Sequence, residues 1–277
     1  MRLIYHIIAS ICLSFTIYFV LCSKNISDRL NNQLPKILKT EYEVTTQKDV
    51  PNLKIALISD LHLGRTLTPG DFSKYLETIQ KENPDIIALV GDYVDDFTTK
   101  EQMIKATYAL GQVKTKHGIY FVFGNHDKEN LKLNSKGFTE KELIKELERN
   151  GIIILRDNII LLDNSFYIIG RRDFSDTKTE YGRLSMEKLV LSLDKSKYII
   201  VLDHQPIDFN TQAQTQVDLV LCGHTHGIYP LNKDLLYGHE KRGKTDFIVT
   251  SGISDEFKNG RAKSEFVVVN VTSLSTD

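Results

Sequence analysis

Five times along this 277-residue chain, a run of apolar, β-branched residues ends at a cluster of carboxylate, amide or imidazole side chains. The clusters are Asp60-Leu61-His62, Gly91-Asp92-Tyr93-Val94-Asp95, Gly124-Asn125-His126-Asp127, His204-Gln205-Pro206 and Gly223-His224-Thr225-His226. Short continuous apolar runs suit strands buried on both faces. In α/β sheets, functional side chains gather at the carboxyl ends of such strands. Five of the eight histidines fall in the clusters, and only His6, His117 and His239 lie elsewhere, so the histidines are not scattered by chance.

The segments between the clusters alternate in period. Thr40–Val50 is expected to form a first strand, followed by Leu53–Ser59, Asp85–Val90 and Ile119–Phe123. Asp71 is placed to cap a helix with Phe72, Tyr75, Leu76 and Ile79 on one face. A second helix is expected over Glu101–Leu110. A third starts at a Thr139/Glu142 capping box, carries Leu143, Ile144 and Leu147 and stops at Gly151. Short strands follow at Ile152–Leu155, Ile159–Leu162 and Phe166–Ile169, then a helix near Met186–Leu193. Tyr198–Leu202, Val217–Leu221, Phe247–Thr250 and Glu265–Val271 complete the strands. Alternating strands and helices argue for an α/β fold. The many late strands call for a second sheet, so the expected architecture is two mixed β-sheets packed as a sandwich flanked by helices.

The amino-terminal part is a unit of its own. Residues Leu3 to Cys22 run for about the length of a membrane-spanning helix, roughly 20 residues. Large residues fill Phe15 to Leu21 and no small-residue cleavage site follows, which argues against a removable signal peptide. Leu21 before Cys22 argues against a lipoprotein signal. The reading is a single-pass transmembrane anchor over residues 1–22, a polar stalk over 23–39 broken by Pro35, and a catalytic domain over 40–277. Arg2 flanks one side of the apolar run and Lys24, Arg29, Lys36 and Lys39 the other; the positive-inside bias would place the domain on the cytoplasmic face, and the face is left open. Only Cys222 falls in the globular part, so no disulfide framework exists there. A net charge of −1 provides no general field for nucleic acid, and no nucleic-acid partner is expected.

Asp60, His62, Asp92, Asn125, His204, His224 and His226 together offer carboxylate oxygen, amide oxygen and imidazole nitrogen. No thiolate is needed, which disfavours a structural zinc knuckle and favours Mn, Fe or Zn at a catalytic site. Two cations held close together need a bridging group, and a carboxylate with two oxygens can serve. Glycines before Asp92, Asn125 and His224 are expected to permit the turns that aim these side chains inward.

D-x-H, G-D-x-x-D, G-N-H-D, H-x-P and G-H-T-H, in this order from about Leu53 to the C-terminus, resemble the calcineurin-like metallophosphoesterase superfamily. The phrase LISDLHLG, the amino-terminal anchor and GHTHG are most similar to the membrane-associated YkuE/YaeI-type phosphoesterases. Ile228 and Tyr229 follow Gly227 where those enzymes usually continue with glycine and glutamine. The resemblance implies a first metal held by Asp60, His62, Asp92 and His226. It implies a second held by a bridging Asp92, Asn125, His204 and His224. His126 matches the histidine that assists the leaving group, and Asp95 matches its carboxylate partner. The implied cofactor is a pair of divalent ions, with Mn favoured. The implied reaction is hydrolysis of a phosphodiester or pyrophosphate bond through attack by a bridging hydroxide.

The anchor suggests a lipid-linked or envelope substrate, with phosphomonoesters and nucleotide phosphodiesters as alternatives. A membrane-tethered binding scaffold on the same fold is the competing class, although such scaffolds lose members of the metal set and this chain has them all. Asp95 beside Asp96 could instead be a solvated acidic loop. Asp127 is expected as a helix cap or supporting group. Arg171-Arg172-Asp173 could grip a phosphate or form a surface cluster. Tyr229, Tyr237 and His239 could line the rim, Glu240–Lys244 reads as a solvated turn, and His117 as a loop residue. Oligomeric state is not legible.

Overall fold

The structure is a computed structural model that describes residues 37–128, 137–178, 182–228, 234–254 and 263–274. The chain divides into two compact units, Met1–Lys36 and Ile37–Asp277. The expected anchor over residues 1–22 and the stalk up to residue 36 lie outside the described residues. Among the described residues, no helix is long and apolar enough to cross a membrane.

Twelve strands form two six-stranded sheets among the described residues. In the first, β1 (Leu38–Thr46), β12 (Glu265–Ser273), β2 (Leu53–Ile58), β3 (Ile86–Val90), β4 (Ile119–Val122) and β5 (Ile152–Ile154) lie side by side. Only β12 and β2 run antiparallel there. The second has the order β10 (Gly238–Arg242), β11 (Thr245–Val249), β9 (Leu219–Cys222), β8 (Tyr198–Leu202), β7 (Phe166–Gly170) and β6 (Asn158–Leu162). Its two edge strands, β10 and β6, are the antiparallel ones. Both sheets are therefore mixed, as expected.

Strand alternation decides what each face packs against. Leu53, Ile55 and Leu57 of β2, Ile86, Ala88 and Val90 of β3, and Val267, Val269 and Val271 of β12 form one apolar cluster with residues of the other sheet. That sheet contributes Ile168, Ile200, Leu202, Leu219, Leu221 and Ile248, so this cluster is the sandwich interior. The opposite face of the second sheet buries Ile199, Val201, Val220 and Phe247 against α4 (Met186–Val190) and α5 (Phe209–Gln214). Burying each such side chain contributes about 1.5–3 kcal/mol, which makes the sandwich the stable platform beneath the strand ends.

Three longer helices connect strands of the first sheet: α1 (Pro69–Gln80), α2 (Lys100–Gly111) and α3 (Glu140–Arg149). Phe72, Tyr75, Leu76 and Ile79 form the buried face of α1 as their spacing demands. Its cap is Thr68 rather than Asp71: Thr68 Oγ1 accepts from Asp71 N at 3.1 Å. Pro69 at the first helical position moves the start three residues earlier, where its missing N–H costs nothing. The Thr139/Glu142 capping box forms as expected, and a Thr99/Gln102 box starts α2.

The first strand lies earlier than expected, at Leu38–Thr46, in parallel register with β12. Leu38 and Lys39, assigned to the stalk from sequence, are thus part of the sheet. The run Glu240–Lys244 is not a simple solvated turn. Glu240–Arg242 belong to β10, and only Gly243-Lys244 make the hairpin corner. Arg242 is tied to Glu240 at 2.7 Å and Asp234 at 2.8 Å, which neutralises the charge run.

Candidate metal centre

The sequence-selected residues from all five clusters converge where β2, β3, β4, β8 and β9 end. Asp60 and His62 follow β2, Asp92 and Asp95 follow β3, and Asn125 and His126 follow β4. His204 follows β8, and His224 and His226 follow β9. A strand that stops at a polar residue delivers that residue to the strand end, so three neighbouring strands of one sheet and two of the other build one polar crown.

The turns leaving these strands are strained. Asp60, His62, Asp92, His224 and His226 all have left-handed backbones, with φ between 43° and 72°. Such a conformation costs a non-glycine residue about 1–3 kcal/mol, so the surroundings must hold it. Asp92 O accepts from Leu61 N and His62 N, and Asp60 N donates to Gly91 O. Asp127 accepts four backbone N–H bonds at 2.8–2.9 Å, from Asp92, Tyr93, Val94 and Gly124. Asp127 is therefore neither a helix cap nor a ligand; it pins the Asp92 turn to the Asn125 turn.

The preceding glycines serve mainly close approach. A Cβ on Gly124 would lie 2.2 Å from Asp92 Oδ1, and one on Gly223 would lie 1.9 Å from Ser59 Oγ. Only Gly91 also takes a left-handed backbone, at φ 85°. The expectation that all three supply turning freedom is corrected accordingly: Asp92 and His224 bear the unusual φ themselves.

The converging atoms form two groups. In the first, His62 Nε2 lies 3.2 Å from His226 Nε2, and His226 Nε2 lies 3.6 Å from Asp60 Oδ1. In the second, His204 Nε2 lies 3.2 Å from Asn125 Oδ1 and 3.1 Å from His224 Nδ1. Asp92 Oδ2 belongs to both, at 3.7 Å from His62 Nε2 and 3.2 Å from His204 Nε2. His62 Nδ1 faces Asp95 Oδ2 at 2.6 Å and His204 Nδ1 faces the Val90 carbonyl at 2.9 Å, so each Nδ1 carries the proton and Nε2 turns its lone pair inward. Asp60 Oδ1 is buried with no hydrogen-bond partner. Inward lone pairs, an orphaned carboxylate oxygen and a shared carboxylate fit two divalent cations.

The charges lean the same way. Burial would raise the Asp92 carboxyl, yet His204, His62 and His126 beside it hold it well below its usual range. Burial would lower His62 and His204, but Asp95, Asp92 and Asp60 around the first, and Asp92, Asp60 and Asp173 around the second, push both up. Burial and the neighbouring His204 bring His224 down to about 4. Without a cation, protons on His62 and His204 balance the carboxylates.

Asp95 is placed differently from the expectation of a simple His126 partner. Its Oδ2 is 2.6 Å from His62 Nδ1 but 3.7 Å from His126 Nδ1, and its Oδ1 accepts from Arg65 Nε at 3.0 Å. It is fully buried, which excludes the solvated-loop alternative. His126 keeps 32% of its side chain exposed; its backbone N–H donates to Asp92 Oδ1 at 2.8 Å. His126 is thus held at the mouth of the centre, its ring edge-on to His62.

Arg171 does not face a phosphate. It is buried and paired with Asp203 at 3.2 Å, and Arg183 pairs with the same carboxylate at 2.6 Å. Asp203 precedes His204, so this buried triad braces the end of β8. Arg172 uses its backbone N–H to hold Asp157 at 3.0 Å. Asp173 accepts from Gln205 Nε2 at 2.9 Å and lies 3.4 Å from Lys128 Nζ, linking the turns after β4, β7 and β8. His239 pairs with Asp246 at 2.8 Å and packs against Tyr42, a role at the sheet edge. His117 is a loop residue 3.3 Å from Asp163, Tyr237 is half exposed, and Tyr229 lies outside the described residues. Arg65, Arg183 and Lys128 escaped the sequence reading because each lies outside a ligand cluster or just past one, whereas Asp173, read there as part of a phosphate grip or surface cluster, is a buried link between turns.

Residues 53–227 match the sequence profile of the calcineurin-like phosphoesterase family. An uncharacterized metallophosphoesterase of Campylobacter jejuni is 28% identical over 87% of this chain and 65% of its own length. A transmembrane protein with metallophosphoesterase domain from Danio rerio is 29% identical over 72% of this chain and 46% of its own. The chain thus spans about half to two thirds of the length of these two relatives. A solved structure superposes with a TM-score of 0.50 at 17% identity, covering 72% of this chain and 90% of that one, which shows a shared fold.

Proposed function

The chain belongs to the calcineurin-like phosphoesterase family, and from that membership we propose that it is a phosphoric ester hydrolase working with two divalent cations. Asp60, His62, Asp92 and His226 would hold one ion; Asp92, Asn125, His204 and His224 would hold the other. The observation that carries the reading is the position of Asp92 Oδ2, within 3.7 Å of the inward nitrogens of both groups. Mixed nitrogen and oxygen donors without sulfur suit Mn, Fe and Zn alike; of these, Mn is the ion favoured here, with Fe or Zn as alternatives.

When bound, such ions make water a nucleophile near neutral pH and draw charge from phosphoryl oxygens. The chain's own part is positional. Asn125 and the histidines fix where the phosphoryl group sits, and the buried crown keeps its surroundings at low dielectric, strengthening every charge interaction there. His126, exposed at the mouth, is placed to hold a proton for the departing oxygen. Asp95 orients His62 at 2.6 Å and stands 3.7 Å behind His126, so one carboxylate supports both a ligand and the proton donor.

The favoured substrate bond is a phosphodiester or pyrophosphate, with phosphomonoesters as the alternative. An apolar segment over residues 3–22 and a relative named as a transmembrane protein support a membrane location and a lipid-linked or envelope substrate.

The test is hydrolysis of a chromogenic phosphodiester by the full chain, stripped with chelator and reloaded with Mn. Restored cleavage that disappears in His126→Ala is the expected result. A folded protein that binds two ions per chain yet cleaves no phosphodiester, pyrophosphate or monoester would favour the tethered-scaffold alternative.

A further inference from the structure

Phe97 is out of place by ordinary rules. It occupies the tip of a turn closed by Thr98 N donating to Asp95 O at 3.0 Å, a position where polar residues and glycine are usual. Its side chain is 61% exposed, yet the turn carrying it is rigidly held. Asp95 N donates to Thr98 Oγ1 at 2.7 Å, and buried Thr98 hydrogen-bonds the Leu63 carbonyl. A Cβ on Gly64 would meet Phe97 O at 2.9 Å and Thr98 Cα at 3.0 Å, so the Asp60–Leu67 segment is in direct backbone contact with this turn. The guanidinium of Arg65 lies over the Phe97 ring, 4.4 Å from its centroid.

The place of this stack matters. Arg65 Nε donates to Asp95 Oδ1 at 3.0 Å, while His126 Nδ1 lies 3.7 Å from the other oxygen of the same carboxylate. One carboxylate therefore separates the proposed proton donor from a cation stacked on an exposed aromatic ring. Three contacts in series, His126 to Asp95, Asp95 to Arg65 and Arg65 to Phe97, therefore run from the proposed proton donor to the exposed ring.

We infer that Phe97, braced by Arg65, is a specificity-determining shelf for a planar aromatic group, such as a nucleobase, on the leaving side of the scissile phosphate ester. The inference rests on the phosphoesterase reading and narrows its substrate to a nucleotide-bearing phosphodiester or pyrophosphate. A stacking ring is sequence-tolerant and rigid, and stacking on one aromatic side chain is a recurrent way to hold a base. A lipid chain would call for a continuous apolar surface. Here the ring's neighbours along the chain are polar: Asp95, Asp96, Thr98, Thr99 and Lys100.

The experiment measures binding rather than turnover. Calorimetric titration of the Mn-loaded full chain would use inorganic phosphate, glycerol phosphate, dodecyl phosphate and a nucleoside monophosphate. The expected ranking puts the nucleoside monophosphate first. Phe97→Ala should weaken it by about 5-fold or more, within the range of base stacking, while phosphate binding stays as it was and Phe97→Trp restores the preference. Three results would overturn the inference. A nucleoside monophosphate binding no tighter than glycerol phosphate would show that no base is recognised. Equal losses for phosphate and nucleotide in Phe97→Ala, with a lowered melting temperature, would make the stack a structural brace. A Phe97-dependent preference for dodecyl phosphate would make it a lipid contact. Absence of phosphate binding in the wild-type chain would remove the phosphoesterase reading itself, and this inference with it.

Discussion

The two halves of the centre share Asp92 but are built to different charge. The half around Asp60, His62 and His226 contains a private carboxylate and has Asp95 directly behind His62. The half around Asn125, His204 and His224 has no private carboxylate; its donors are an amide and two imidazoles, one brought down to about 4. Its His204 leans on a backbone carbonyl where His62 leans on a carboxylate. The difference teaches that the first half should retain a dication tightly and the second should release one more readily. Stepwise chelation with metal counted per chain is the direct check, with one ion leaving well before the other.

Removing the shared element should erase the distinction and have the largest effect. Asp92→Asn takes the common oxygen charge from both halves, and catalysis should fall by about 10³-fold or more, the equivalent of roughly 4 kcal/mol. Metal counting should show both sites weakened together; loss of one ion only would mean that Asp92 serves a single half. His126→Ala should cost about 10²–10⁴-fold in kcat, as for other positioned proton donors, with two ions still bound. Asp95→Asn sharpens the comparison further. It should weaken the first ion by about 10–100-fold, the usual cost of losing a partner behind a ligating histidine. The second ion should be little affected. Equal weakening of both would show that Asp95 acts on the centre as a whole.

Most of the fold was legible because its signals were local. Apolar runs such as Leu53–Ile58 and Ile86–Val90 became strands because nothing else satisfies a short, doubly buried backbone. The candidate ligands were legible because each stands where such a run stops. What was not legible depended on tertiary partners. Strand β10, with its sequence Gly-His-Glu-Lys-Arg, has no apolar alternation and exists by pairing with β11. Arg171 looked available for phosphate until Asp203, 32 positions away, proved to hold it in the interior. The resemblance implied Asp95 as the partner of His126, and it does lie 3.7 Å away, but spacing along a chain cannot show that His62 lies closer, at 2.6 Å. The left-handed turns at five of the seven candidate ligands were equally hidden, since aspartate and histidine do not announce that backbone as glycine does.

The smallest predicted effect concerns proton balance, and its sign follows from the two kinds of shift. His62 and His204 are raised above their usual value near 6.5, so their stabilisation of the metal-free fold is complete below about pH 6.5 and is lost as pH rises through their higher folded-state values. Asp60, Asp92 and Asp95 are lowered, so their contribution is present above about pH 4 and disappears as pH falls through their folded-state values. His224, brought down to about 4, resists protonation in the fold, so it costs stability progressively between about pH 6.5 and 4. Stability of the metal-free chain should therefore climb with pH to a maximum near 6.5 and then decline, by on the order of 1–2 kcal/mol. With Mn bound the decline above pH 6.5 should vanish, because a cation replaces the protons on the inward nitrogens and binding gains as those protons leave. Melting curves of the full chain from pH 5 to 9, with chelator and with Mn, read both limbs. A metal-free chain that keeps its stability above pH 6.5 would show that the histidines do not balance the carboxylates. In that case the contrast between the two halves would have to come from geometry rather than charge.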